Sequence, residues 1–168
     1  WDELPADPPG GDGGDGVERP LAIVYTSGTT GLPKGILHSH AGFAVKTATD
    51  FAYAFDVHAD DTVAWIADLG WLVGPMMIVG VLQLGATAVF TEGVPTHPTP
   101  TRMWEVIRRN GVTVQGIAPT AARAIAAASG DEPVDLGPLR SFVSTGEAWD
   151  EPTWHWLFEQ AGEGSGRS

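Results

Sequence analysis

The chain contains the stretch Tyr25-Thr26-Ser27-Gly28-Thr29-Thr30-Gly31-Leu32-Pro33-Lys34-Gly35, which follows directly on the apolar run 21–24. The apolar run is partly β-branched and predicts a buried strand. The stretch after it predicts a loop that holds a polyphosphate. Glycines let backbone N–H groups approach a ligand closely, and successive N–H groups form a nest for anions. Hydroxyl groups and the charge of Lys34 add donors to phosphate oxygens.

This loop differs from a Walker A loop. That motif has a glycine, four further residues and then Gly-Lys-Ser or Gly-Lys-Thr. Here Pro33 precedes the lysine, and Gly35 follows it. A surface turn that binds nothing is the alternative, but this order of residues after a strand favours a phosphate site.

Segments with strand and helix patterns alternate along the rest of the chain. The predicted strands are 21–26, 35–38, 62–67, 86–90, 112–117 and 140–144, and the predicted helices are 40–55, 73–84, 100–109, 119–129 and 151–161. Such alternation is typical of α/β folds, in which helices connect parallel strands. We therefore expect an α/β fold with a mainly parallel sheet flanked by helices.

Two of these helices have recognisable start and stop residues. Thr99 is expected to cap the helix at 100–109, and Gly111 is expected to end it. Asp150 is expected to cap the last helix, and Gly162 to end it.

Composition narrows the class of protein. Of the 168 residues, 43% are hydrophobic, which is enough for a substantial core, and cysteine is absent. A net charge of −12 disfavours nucleic acid and anionic membranes as partners. The sequence shows neither an 18-residue apolar run nor a signal peptide, so we expect a cytoplasmic protein without a membrane span.

Five further segments carry a family resemblance. They are Asp68-Leu69-Gly70-Trp71-Leu72-Val73-Gly74, Leu84-Gly85-Ala86-Thr87, Glu92-Gly93-Val94-Pro95, Ala118-Pro119-Thr120-Ala121-Ala122-Arg123-Ala124 and Ser144-Thr145-Gly146-Glu147. Together with the loop, and in this order, they resemble the AMP-forming (adenylate-forming) synthetases, in particular the acetyl-CoA synthetase-like branch. The similarity runs from about residue 20 to about residue 162.

The resemblance implies a reaction and its co-substrates. Members of this family join a carboxylic acid to ATP, release pyrophosphate, and pass the acyl group from acyl-AMP to a thiol such as CoA. It implies that the phosphates of ATP, bridged by Mg²⁺, are held by Thr26, Ser27, Gly28, Thr29, Thr30, Gly31 and Lys34, with Thr26 and Lys34 as candidate catalytic residues. It also places Gly146, Glu147 and Ala148 beside the adenine and the acyl-adenylate, although the family usually has proline where this chain has Ala148.

The resemblance further implies an acyl pocket formed by Trp71, Leu72, Val73 and Thr145. Plain core packing is the alternative role for Trp71. In the acetate-using enzymes a threonine usually stands at the position of Val73, and a valine at that of Thr145. The resemblance implies a short or medium carboxylic acid as the substrate, and these departures argue against assigning acetate itself. Thr96 likewise stands where those enzymes carry an asparagine that touches CoA.

A protein-bound metal is not expected. His38 and His40 would point to the same face of a strand, but the sequence offers no third ligand near them. We therefore expect the two histidines to be polar residues of a strand-to-helix turn.

Composition and the resemblance together predict the domain organisation. Residues 1–19 are expected to be a flexible segment, because they are rich in Pro, Gly and Asp. The resemblance implies that residues 20–168 form part of the large N-terminal domain of an adenylate-forming synthetase. We expect a middle fragment that is inactive alone, because the family's downstream motifs are not among these residues. The alternatives are an adenylation domain that loads a carrier protein and a nucleotide-binding module without catalysis.

Overall fold

An antiparallel hairpin is the main feature of the first of two units, residues 1–46. The computed structural model describes residues 16–26, 31–130 and 134–160. In the hairpin, β1 (Pro20–Thr26) pairs with β2 (Lys34–Ser39). Helix α1 (His40–Thr49) follows at once, and the hydroxyl of Ser39 accepts a hydrogen bond from the backbone N–H of Gly42 at 3.3 Å. The predicted strands and helix of this region are therefore present, and the boundary between the units falls within α1.

The prediction that the first strand is buried was wrong. Ile23 and Tyr25 of β1 are 58% and 69% exposed, and Ile36 and Leu37 of β2 are also exposed. The two strands pair only with each other among the described strands, so they form a two-stranded ribbon in which each strand has one edge without a strand partner there. An apolar run in the sequence predicts an extended backbone, but it does not predict which other elements pack on the strand.

The second unit, residues 47–168, contains a parallel four-stranded sheet. Its strands are β3 (Thr62–Ile66), β4 (Thr87–Val89), β5 (Val114–Ile117) and β6 (Ser141–Val143), in the order β4-β3-β5-β6. Its helices are α2 (Val73–Met76), α3 (Arg102–Asn110), α4 (Pro119–Ser129) and α5 (Glu151–Gln160). Single π-helical segments, Asp50–Ala54 and Met77–Val81, extend α1 and α2. The expected α/β fold with a mainly parallel sheet is confirmed.

Both faces of this sheet are covered. One layer packs α3, α4 and α5 on the sheet through buried residues such as Trp104, Ile125 and Leu157. The other layer contains Phe51 and Met77 of the two π-helical segments. Parallel sheets are typically buried on both sides in this way, and β5 is accordingly buried along its whole length.

The helix ends test the capping predictions. Asp150 caps α5, since its Oδ1 accepts from the N–H of Thr153 at 3.0 Å. Gly111 ends α3 in the left-handed conformation, at φ 62°. The prediction for Thr99 was wrong, because α3 begins at Arg102, whose N–H binds the backbone oxygen of Thr99. Gly162 lies outside the described residues.

None of the helices in the described parts of the chain combines the length and the apolar character that a membrane crossing needs.

One buried carboxylate joins the starting ends of the strands. Asp61 is 5% exposed, and its carboxylate accepts from the hydroxyl of Thr113 at 2.6 Å and from the guanidinium of Arg140 at 2.7 and 3.1 Å. Burial alone would raise the pKa of this carboxyl group. Hydrogen bonds from Arg140, Thr113 and a backbone N–H outweigh burial and hold the pKa well below its ordinary 3.8.

We expect Asp61→Asn to lower the free energy of unfolding of the protein by about 2 kcal/mol at neutral pH, because Arg140 loses its buried charge partner. The pKa is lower in the folded state, so the carboxylate stabilises the fold fully above its ordinary pKa of 3.8. That contribution declines as the pH falls below this value. Urea unfolding at pH 7 and pH 3 measures both effects.

The control is Asp60→Asn, which changes the exposed neighbouring carboxylate. It should leave the free energy of unfolding nearly unchanged at both pH values. Equal losses in the two variants would mean that Asp61 does not organise the sheet.

Candidate functional site

The hairpin places two predicted phosphate-binding residues opposite each other. Thr26 ends β1, Lys34 begins β2, and the two are register partners at the mouth of the loop. Both are exposed. Gly31, on the Lys34 side, has φ 84°, a conformation that suits glycine. The remaining predicted phosphate residues, Ser27, Gly28, Thr29 and Thr30, lie outside the described residues.

A cleft of about 610 Å³ opens in the second unit beside the end of β3. Two of the segments that carry the resemblance meet there, since Asp68 and Leu69 line it together with the turn Glu92–Pro95. Apolar side chains such as Val106 form much of the remaining wall. Because Asp68 and Glu92 are acidic, the cleft suits an uncharged or apolar group better than a phosphate.

Arg102 fixes the turn that lines this cleft. Its guanidinium donates to the backbone oxygens of Glu92, Val94 (3.1 Å) and His97 (2.8 Å). The charge of Arg102 is therefore committed to the backbone of the turn. Gly93 fits there because it has φ 83° and because a Cβ atom would lie 2.9 Å from Nη1 of Arg102.

The predicted acyl-pocket residues lie in the second unit, outside this cleft. Trp71 is 73% exposed and Leu72 is 39% exposed, at the turn that leads into α2. That turn is closed by the N–H of Trp71, which binds the backbone oxygen of Asp68 at 3.0 Å. Val73 begins α2, and Thr145 is exposed in the loop after β6. The pocket role of these residues stays a prediction.

The loop after β6 contains the other predicted nucleotide residues, Gly146, Glu147 and Ala148, and all three are exposed. Oε1 of Glu147 accepts from the N–H of Thr120 at 3.1 Å, and Oε2 accepts from the Thr120 hydroxyl at 2.9 Å. Arg123 donates to the same Oε2 at 3.1 Å. The hydrogen bonds from Thr120, aided by Arg123, lower the pKa of Glu147.

Sequence reasoning assigned no individual role to Arg102, Thr120 or Arg123. Thr120 and Arg123 belong to the segment 118–124, which contributed only to the family resemblance. A threonine in the first turn of a predicted helix and an arginine three residues later are a usable signal, because they can face one partner together. Their acidic partner, 27 residues away from Thr120, could not be identified without the fold.

In the described parts of the chain, no group of three or more histidine, aspartate or glutamate side chains is arranged to hold a metal ion. His38 instead packs edge-on against Phe43, with ring centroids 5.2 Å apart.

Comparison with known proteins decides the family. A family model described as "AMP-binding enzyme" matches residues 10–166. The chain belongs to the AMP-binding enzyme family. This confirms the resemblance on which the site residues were chosen.

The individual proteins that resemble this chain include acetyl-coenzyme A synthetases. The chain is 44% identical over 150 residues to an acetyl-coenzyme A synthetase of Citrobacter koseri and 46% identical over 151 residues to one of Pseudoalteromonas translucida. These alignments cover 87% and 88% of the chain but 23% of each relative. The chain therefore spans about a quarter of the length of these relatives.

A solved structure supports the same assignment. The acetoacetyl-CoA synthetase from Streptomyces lividans superposes with a TM-score of 0.74 at 30% identity. The match covers 84% of this chain and 22% of that chain. The fold of this chain is thus that of part of an adenylate-forming synthetase.

We expect Arg102→Met to loosen the turn Glu92–Pro95, because three backbone oxygens lose a charged donor. Amide hydrogen exchange of residues 92–97 should accelerate about 10- to 100-fold, as the loss of charge-assisted hydrogen bonds implies. The control is Arg109→Met, at the exposed end of α3. If hydrogen exchange at residues 92–97 is unchanged in Arg102→Met, the turn is stable without this arginine.

Proposed function

We propose that this chain is part of an enzyme that uses ATP to activate a short or medium carboxylic acid and transfers the acyl group to CoA. One geometric observation carries the proposal: Thr26 and Lys34 lie opposite each other at the mouth of the Gly/Ser/Thr loop. The similarity to acetyl-coenzyme A synthetases supports the choice of reaction. Such an enzyme would work in the cytoplasm, where ATP and CoA are available.

In the first step, an oxygen of the substrate carboxylate attacks the α-phosphorus of ATP. The new bond is the P–O bond of acyl-AMP, and the bond between the α-phosphorus and its bridging oxygen to the β-phosphate breaks. Pyrophosphate leaves with the electron pair. Catalysis of such a step rests on positioning and on the neutralisation of charge.

The residues of the loop neutralise the charge on the phosphate oxygens of ATP. Lys34 and the hydroxyl of Thr26 hold the β- and γ-phosphates, together with the loop residues between them. Mg²⁺ enters as the ion bound to ATP, because Mg²⁺ commonly binds to phosphate oxygens with few protein ligands. Lys34 is one of only two lysines in a chain of net charge −12, so its position in the loop is a local exception.

In the second step, the sulfur of CoA attacks the acyl carbon. The C–S bond of the thioester forms, the bond from the acyl carbon to the AMP oxygen breaks, and the thiol proton passes to solvent. We assign Gly146, Glu147 and Ala148 to the wall beside the adenylate, and Trp71, Leu72, Val73 and Thr145 to the acyl pocket. These assignments rest on the family match and on the order of the segments.

The direct test uses the complete enzyme. Acid-dependent exchange of labelled pyrophosphate into ATP reports the first step, and thioester formation with CoA reports the second. Exchange without thioester formation would favour a carrier protein as the acyl acceptor. If neither reaction occurs with any short or medium acid, the proposal is wrong.

We expect Lys34→Ala in the complete enzyme to slow this exchange about 10- to 100-fold. A charge-assisted hydrogen bond to a terminal phosphate contributes about 1.5–3 kcal/mol, and about 1.4 kcal/mol corresponds to one decade in rate. Lys46→Ala, in α1, is the matched control, and it should keep the exchange rate. Normal exchange in a folded Lys34→Ala variant would remove this lysine from the site.

We expect Val73→Gly to favour longer acids over the native substrate. In a pocket of this kind one methylene changes binding by about 1–3 kcal/mol, so the shift should be graded. The measurement is the ratio of kcat/KM between acids of increasing length, which cancels any loss of folded enzyme. An unchanged preference profile would place Val73 outside the acyl pocket.

A further inference from the structure

The carboxylate of Glu147 is turned toward helix α4. Both of its oxygens accept hydrogen bonds from Thr120, at 3.1 Å from the N–H and 2.9 Å from the hydroxyl. An anionic group at the N-terminus of an 11-residue helix is stabilised by the free N–H groups there. Glu147 thus performs for α4 the task of a capping side chain.

Arg123 extends this contact to the next helix. One nitrogen, Nη2, donates to Glu147 at 3.1 Å and to the Thr120 hydroxyl at 2.8 Å. The other, Nη1, donates to Asp150 at 2.9 Å, and Asp150 caps α5. A single guanidinium therefore ties the first turn of α4 to the first turn of α5, and the loop 144–150 runs between these anchors.

The loop is also closed upon itself. The indole N–H of Trp149 donates to the hydroxyl of Ser144 at 3.1 Å. Between these two residues Gly146 has φ 102°, which favours glycine, and a Cβ atom built on it would meet nothing within 4 Å among the described residues. The side chain of Glu147 is thus committed to α4, while the backbone at Gly146 faces open space.

The charges around Glu147 agree with these separate roles of its side chain and of the backbone at Gly146. A free carboxylate beside a nucleotide would repel the phosphates. Arg123 faces both Glu147 and Asp150, and these carboxylates in turn raise the pKa of its guanidinium. The loop can therefore contain an acidic residue at its centre without presenting that charge to an anionic ligand.

We propose that Thr120 and Arg123 are positioning residues which, by binding the side chain of Glu147, hold the backbone at Gly146 and Glu147 in place as the wall beside the adenylate. The inference rests on the proposed function, because that function places the loop beside the nucleotide. It gives Glu147 an indirect role: the carboxylate orients the loop and does not touch the ligand.

The test measures KM for ATP and kcat in the acid-dependent exchange catalysed by the complete enzyme. Thr120→Val keeps the side-chain shape but removes the hydroxyl, and it should raise KM for ATP about 5- to 20-fold, as expected for a misplaced binding wall. Arg123→Met should act in the same direction. Thr120→Ser restores the hydroxyl and should restore KM.

Two variants on α3 are matched controls. Thr101→Val removes a hydroxyl that donates to the carboxylate of Glu105 at 2.7 Å, near the start of a different helix. Arg108→Met removes an exposed arginine from the last turn of that helix. Both should leave KM for ATP unchanged. All variants should unfold within about 4 °C of the unaltered enzyme, because exposed polar contacts contribute little to stability.

A double-mutant cycle separates positioning from direct contact. If Glu147 acts through Thr120, the combined variant Glu147→Ala/Thr120→Val should raise KM for ATP no more than the larger single change does. Additive effects, or a loss of ATP binding in Glu147→Ala with no change in Thr120→Val and Arg123→Met, would overturn the inference and place the carboxylate on the ligand. Absence of exchange in the unaltered enzyme would instead overturn the proposed function, and the inference with it.

Discussion

The parallel sheet of the second unit depends on the buried carboxylate of Asp61. Its backbone oxygen accepts from the N–H of Thr87 at the start of β4, and its side chain accepts from Thr113 and Arg140, which directly precede β5 and β6. Asp61 itself directly precedes β3. This one residue therefore binds at the starting ends of β4, β5 and β6. Because a buried carboxylate without partners is costly, the sheet favours an alignment that keeps Thr113 and Arg140 beside Asp61. The register observed in the sheet has that alignment.

Asp61 and its partners hold the starting ends of the strands together. The loops at the opposite edge of the sheet are therefore available to form a ligand site. The segments that follow β3, β4 and β6 contain Asp68, Glu92 and Glu147, and α4 follows β5. Ligands of open α/β sheets bind at this carboxyl edge, and the cleft of the second unit opens there. Asp61 and its partners are therefore separated from Asp68, Glu92 and Glu147 by the length of the strands.

Three arginines of the second unit serve this arrangement with different partners. Arg140 binds Asp61, Arg102 binds backbone oxygens of the turn beside the cleft, and Arg123 binds the two carboxylates near α4 and α5. These three arginines hold the strand starts, the turn beside the cleft and the helix ends in place. Because their guanidinium groups already have these partners, they are not available to an incoming phosphate. Lys34, in the loop of the hairpin, is the cation that the proposed function uses for that purpose.

The sequence by itself determined the order and type of the elements, the parallel sheet, the capping role of Asp150 and the family, because these depend on periodicity, turn chemistry and short motifs. It could not determine that β1 lies in an exposed ribbon, since an apolar run does not specify its neighbours. Only the tertiary structure set Thr26 opposite Lys34, joined Asp61 to Arg140 across 79 residues and turned Glu147 toward Thr120. The last two of these pairs bring together residues distant in sequence. Such contacts are decided by strand register and helix packing, which no local pattern encodes.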